Sequence, residues 1–136
     1  MKTCYIYTRC ASDTQEELDS NYVESIERQK NECINYALQN GYKVVGIFED
    51  IGISGDSLQR KGLNRLRNSI TKHSVDAVIV LRSDRLSPNF RHRFDLLAEF
   101  NNFNIELLST DLGKLGKANI APFISYARLS SESQLL

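Results

Sequence analysis

Asp76-Ala77-Val78-Ile79-Val80-Leu81 is the most apolar run in the chain, and Asp84-Arg85-Leu86-Ser87 follows it almost at once. A short run rich in β-branched residues, with no polar alternation, reads as a strand covered on both faces, as internal strands of a parallel sheet are. An acid and an arginine just beyond such a strand stand where an α/β fold keeps its chemistry, at the carboxyl ends of the strands.

The segments on either side repeat this logic. Residues 3 to 9, Thr-Cys-Tyr-Ile-Tyr-Thr-Arg, alternate and are rich in β-formers, predicting a first strand. Residues 10 to 24 are polar and acidic and read as a long loop. Ile26, Cys33, Ile34, Ala37 and Leu38 recur at helical spacing, with Ser25 as N-cap and Gly41 as the stop. A second strand is expected over 43 to 50, ending in Asp50 before a glycine-serine loop. A helix over 61 to 73 turns Leu63, Leu66 and Ile70 inward and its arginines outward. Pro88 falls in the first turn of the next helix, whose core face is Phe90, Phe94, Leu97 and Ala98. A fourth strand is expected over 104 to 109, then a loop over 110 to 117 and a last helix from about Asn119 with Ile120, Phe123, Ile124 and Ala127 on its stripe.

Strand-helix alternation of this kind predicts one three-layer α/β domain over residues 1–136. It would have a mostly parallel sheet of four or five strands with helices on both faces. The strand ends then carry Tyr7 and Arg9, Asp50, and Arg82, Asp84 and Arg85 toward one edge.

Composition narrows the partners. The chain has 136 residues, 41% hydrophobic and 25% charged, which suits a globular domain. Its apolar runs fall short of a membrane span, and the N-terminus lacks a signal-peptide pattern, so a cytoplasmic protein is the expectation. Three cysteines, Cys4, Cys10 and Cys33, have neither a disulfide framework nor zinc spacing. The formal net charge is zero, but from Arg60 to Arg93 nine Lys/Arg face two Asp, leaving that segment +7. Seven of the nine are arginines, which suit bidentate contact with phosphate, so a polyanionic partner is indicated. Neither the Rossmann fingerprint nor a P-loop is present. Arg9, Arg60 and Arg85 have the chemistry to hold a phosphodiester and its transition state, with Asp50 and Asp84 orienting them or handling protons. Ser12, Ser54, Ser57 and Ser87 lie nearby. Taken singly, each serine reads as a loop or cap residue before it reads as a nucleophile.

Five motifs now stand in order: Ile6-Tyr7-Thr8-Arg9, Ser25-Ile26-Glu27-Arg28-Gln29, the stretch from Phe48 through Asp50 to Gly55, Arg60-Lys61-Gly62-Leu63, and the strand leading into Asp84-Arg85-Leu86-Ser87. Over residues 3 to 128 the chain resembles the N-terminal catalytic domain of the serine recombinases, the resolvase/invertase family. The acidic loop before Ser25 is more similar to the large members, phage integrases and transposon recombinases. The resemblance implies attack of a serine hydroxyl on double-stranded DNA, a 5′-phosphoserine intermediate, and strand exchange in a homodimer or homotetramer of a full-length parent without any cofactor. It implies Tyr7, Arg9, Gln29, Asp50, Arg60, Asp84 and Arg85 as site residues, with Arg67, Arg91 and Arg93 as further DNA contacts. The family pattern Tyr-x-Arg-x-Ser falls on Ala11 here, and the serine follows at Ser12, the candidate nucleophile. An arginine expected directly after Ser87 is Pro88. The C-terminal DNA-binding region of the family is expected to lie outside this chain. Three readings stay open: cleavage through Ser12, a binding or assembly module of the same fold that does not cut, and an unrelated flavodoxin-like small-ligand domain.

Overall fold

The computed structural model describes residues 1–10, 25–51 and 60–120. Strand β1 (Lys2–Cys10) lies inside the sheet, between β2 (Tyr42–Ile51) and β3 (Ala77–Val80). Beyond β3 come β4 (Glu106–Ser109) and the two-residue β5 (Gly113–Lys114), giving the order β2-β1-β3-β4-β5. The first four strands run parallel, and β5 returns antiparallel against β4. The fifth strand falls within the 110–117 segment expected as loop.

Two helix layers cover the sheet. On one face α1 (Ile26–Gln39) seals Cys33 and Ala37 against Cys4, Ile6, Ala77 and Ile79. On the other, α2 (Lys61–Lys72) and α4 (Phe90–Asn102) bring Leu63, Leu66, Leu96 and Phe100 onto Tyr5, Tyr7, Val78 and Val80. Each such fully buried leucine contributes about 1.5–3 kcal/mol relative to exposure. A single helical turn, α3 (Ser83–Leu86), links β3 to α4, and α5 (Lys117–Ile120) ends the described chain. The α/β class, the mostly parallel sheet and the helices on both faces are as the alternation predicts.

The helix ends follow their local chemistry. Ser25 caps α1 by accepting from the Arg28 N–H at 3.1 Å. Gly41 after it takes φ +79°, which only glycine adopts without strain. Asn89 caps α4, accepting from Arg91 N and His92 N at 2.9 and 3.3 Å, so Pro88 lies before the helix and not in its first turn.

Two core faces differ from expectation. In α1 the buried positions are Gln29, Cys33 and Ala37, an i, i+4, i+8 row, and Leu38 is 68% exposed. In α4 they are Arg93, Leu96, Leu97 and Phe100, while Ala98 is exposed and Phe90 and Phe94 are partly covered. Both helices are rotated so that a polar residue joins the core stripe. Among the described residues, no helix is long and apolar enough to cross a membrane.

Candidate active site

The order of strands reverses between β1 and β3, which makes the crevice at their carboxyl ends the topological switch point. Arg9 leaves the end of β1 there, and Asp84 and Arg85 follow β3. Asp50 enters from the end of β2, where it pairs in register with Arg9.

Asp50 is almost fully buried and accepts three hydrogen bonds. Its carboxylate takes the Tyr7 hydroxyl at 2.7 Å, Gly62 N at 2.8 Å and Leu63 N at 3.0 Å. The last two are open N–H groups of the first turn of α2, whose own N-cap residue, Arg60, gives no side-chain cap. A carboxylate from a neighbouring strand therefore caps this helix, and its charge is favourable at the positive end of the helix dipole. Gly62 permits the approach: a Cβ there would lie 2.3 Å from the Glu49 carbonyl oxygen. The Arg-Lys-Gly-Leu motif thus has a mechanical reading, a helix start pressed onto the end of β2.

Tyr7 is sealed at the centre of this arrangement. Burial raises its hydroxyl far above the ordinary tyrosine value, opposed by the Arg60 charge and assisted by the bond to Asp50. The hydroxyl is a fixed donor to Asp50 and is no proton shuttle near neutral pH. The Arg60 guanidinium stacks over the Tyr7 ring, 5.6 Å from its centroid.

Four arginines, Arg9, Arg60, Arg85 and Arg93, are each at most 9% exposed. Three of them converge on the main chain of one turn. Arg9 donates from Nη2 to the Asp84 carbonyl at 2.9 Å and from Nε to the Arg85 carbonyl at 3.3 Å. Arg60 Nη2 donates to the Leu86 carbonyl, and Arg93 Nη1 donates to the Ser87 carbonyl at 2.6 Å. Four successive carbonyls from 84 to 87 are thereby held by guanidinium groups from three separate elements. Burial, with the neighbouring Arg60 and Arg85 charges, lowers the Arg9 pKa, and burial lowers that of Arg93. Arg60 keeps its Nε and Nη1 buried with no hydrogen-bond partner among the described residues.

Asp84 and Arg85 are adjacent in sequence, but the ion pair of Asp84 is with Arg82, at 3.2 Å, on the rim. Gln29 lies on the opposite face of β1 and brackets the main chain of Arg9. Its Nε2 donates to the Arg9 carbonyl at 2.9 Å, and its Oε1 accepts from Arg9 N at 3.2 Å, replacing a strand neighbour at the end of β1.

The structure therefore brings together Tyr7, Arg9, Asp50, Arg60, Asp84 and Arg85, with Gln29 as a brace behind Arg9. Arg67 stands apart in a two-bond ion pair with Glu99, at 2.8 and 2.9 Å, tying α2 to α4. Arg91 is exposed in the first turn of α4, whereas Arg93 is turned inward. Ala11, Ser12, Ser54 and Ser57 lie outside the described residues. Sequence reasoning missed the inward Arg93 and the contact role of Gly62. The signal for Arg93 was its place three, four and seven residues before Leu96, Leu97 and Phe100, a helical core stripe.

This fold and its basic crevice agree with comparison to known proteins. Residues 4–119 match the family model "Resolvase, N terminal domain", and the chain belongs to that family of serine recombinases. It is 30% identical to the N-terminal catalytic domain of TP901-1 integrase, with a TM-score of 0.77 and 98% of each chain covered. A resolvase family site-specific recombinase from Streptococcus pneumoniae is 27% identical, with a TM-score of 0.71, covering 98% of this chain and 90% of that one. A Bacillus subtilis (strain 168) protein provisionally named a DNA recombinase is 35% identical over 103 residues, 76% of this chain. The chain spans about a fifth of that relative's length, the aligned part being 19% of it.

Proposed function

We propose that the crevice is a phosphodiester site for DNA strand cleavage and exchange. The observation that carries this reading is Arg60, buried among other arginines with two N–H-bearing nitrogens that have no partner among the described residues. A buried donor that lacks an acceptor costs free energy, and a buried charge excess costs more. An entering phosphate would relieve both. Of the two described carboxylates at the crevice, Asp50 accepts from three neutral donors and Asp84 is engaged by Arg82.

In this reading the Ser12 hydroxyl attacks phosphorus, the 3′ oxygen leaves, and a 5′-phosphoserine bond forms. Arg60 offers its spare donors to the non-bridging oxygens, with Arg9 and Arg85 adding charge as the transition state gains it. The ester retains the energy for religation, so no nucleotide cofactor enters. Tyr7, Asp50 and Gln29 act by holding Arg60 and Arg9, without touching the DNA. Double-stranded DNA is the substrate, and exchange takes place between subunits of a homodimer or homotetramer formed by the full-length parent in the cytoplasm. Arg91, exposed in the first turn of α4, supplies contacts to neighbouring phosphates, whereas Arg67 is engaged by Glu99.

Ala11 supports a second reading, a module of the same fold that binds DNA or pairs with active recombinase subunits without cutting. Covalent trapping on nicked suicide DNA separates the two. The cleavage reading expects an adduct that disappears in Ser12→Ala. Absence of any adduct, under conditions that trap an active relative, leaves the non-cutting module.

A further inference from the structure

We infer that Arg93 is a positioning residue for the phosphate site, holding the 84–87 turn in the place where the family resemblance called for an arginine at residue 88. This rests on the phosphodiester reading above and adds a residue that acts through the main chain and does not contact DNA.

The turn needs outside support. One helical turn is too short to be stable alone, since nucleation fixes several dihedrals for one hydrogen bond. The main-chain bond closing α3, from Ser87 N to the Ser83 carbonyl, is long at 3.4 Å. The last carbonyls of any helix have no partner within it. Here Arg9 takes those of Asp84 and Arg85, Arg60 takes that of Leu86, and Arg93 takes that of Ser87. Two of these three arginines are proposed phosphate ligands. If the turn shifts, their anchor points shift with it.

Pro88 sharpens the need for Arg93. It has no N–H and no charge, so it cannot secure the segment itself. Arg93 reaches back from α4 to the carbonyl just before Pro88. It is in the core stripe with Leu96, Leu97 and Phe100, so its backbone is fixed by packing. Its guanidinium also feels the Asp84 charge, which partly offsets the effect of burial. Its Nη1 is committed to the Ser87 carbonyl, and its Nε, buried with no hydrogen-bond partner among the described residues, is the group whose phosphate contact the salt slope below tests.

The test uses the 136-residue chain and a short fluorescent duplex of arbitrary sequence, titrated over a salt series below the unfolding temperature. Arg93→Met should lower affinity roughly tenfold while the slope of log K against log salt stays nearly constant. The Arg9 Nε–H resonance, reporting its bond to the Arg85 carbonyl, should move toward the position of an unbonded guanidinium. Arg93→Lys, which keeps a charged donor, should restore most of both. If Arg93→Met does not fold, Arg93→Gln is read in the same way. A loss of stability with unchanged affinity and an unmoved Arg9 signal overturns the inference, leaving Arg93 merely structural. A slope reduced by about 0.9 overturns it differently, because that marks direct phosphate contact. Arg60→Met tells the two proposals apart. If it weakens binding and Arg93→Met does not, only the Arg93 inference fails. If Arg60→Met leaves binding untouched, the phosphodiester reading fails and takes this inference with it.

Discussion

Two carboxylates stand at the same edge of the sheet and are held in opposite ways. Asp50, at the end of β2, is 3% exposed and receives a hydroxyl and two helix N–H groups. Asp84, after β3, has a side chain 49% exposed and pairs with Arg82. In sequence both look like an acid at a strand end. In space one is a joint between a strand and a helix, and the other is a rim charge. What matters chemically near Asp84 is its carbonyl, which binds Arg9, and not its carboxylate. An acid-arginine motif can therefore mark a site although the acid and the arginine do not pair with each other.

The comparison breaks most easily at the joint. Asp50→Ala removes three accepted bonds and strands a buried hydroxyl and two helix N–H groups, so a loss of about 3–5 kcal/mol is expected. Urea unfolding monitored by circular dichroism measures it. A loss below about 1 kcal/mol would mean that water or another group caps α2 as well, and Asp50 would be no joint. Gly62→Ala comes next. The added methyl would meet the Glu49 carbonyl at 2.3 Å, so α2 must back away from β2. About 2–3 kcal/mol should be lost, in the range of overpacked cores. An unchanged urea midpoint would show that the helix start is not pressed onto the strand.

Much of this was readable beforehand. The run from Asp76 to Leu81 predicts a central strand because burial on both faces removes polar alternation, and β3 is buried throughout. Ser25 and Gly41 mark the ends of α1 because caps and left-handed turns are local chemistry. The core faces of α1 and α4 depart from the expected stripes for one shared reason. Hydrophobicity alone gives the stripe, so Leu38 was included where Gln29 belonged, and Ala98 where Arg93 belonged. A polar side chain joins a core when main-chain groups wait for it, as the Arg9 peptide waits for Gln29 and the Ser87 carbonyl for Arg93. Such partners are distant or main-chain atoms, and residue type does not announce them. That Tyr7, Arg9, Asp50, Arg60, Asp84 and Arg85 gather at one edge was legible, but which of them hold main-chain groups required the hydrogen bonds.

A milder cut sharpens the same contrast. Tyr7→Phe deletes one bond to Asp50 and leaves the two helix N–H contacts, so about 1–2 kcal/mol should be lost. It should also change the pH dependence. The Tyr7 pKa is raised in the folded state, chiefly by burial. Its contribution is therefore fully present below the unfolded tyrosine value of about 10 and is lost as pH rises beyond it. Buried Cys33 and Cys4, pushed up to about 12 and about 11, act in the same direction from their ordinary value of 9.0. The difference between wild type and Tyr7→Phe isolates the tyrosine: it should shrink above pH 10 or so. A difference that grows there would mean that the Tyr7 hydroxyl ionises readily in the folded protein and is not locked onto Asp50.

Asp84→Asn should have the smallest effect, and on DNA an effect of opposite sign. A half-exposed ion pair contributes about 0–1 kcal/mol, so the urea midpoint should barely move. The turn keeps its position because Arg9 binds the Asp84 main chain, which the substitution leaves intact. Removing a negative charge beside four buried arginines should strengthen duplex binding at low salt by roughly twofold, an increase that fades as salt screens the field. A stability loss above about 2 kcal/mol would place Asp84 with Asp50 as a structural joint. Weaker DNA binding in a fully stable variant would instead make its carboxylate part of the phosphate site. Either outcome would erase the distinction between the two acids, because that distinction rests on Asp84 acting through its carbonyl and Asp50 through its carboxylate.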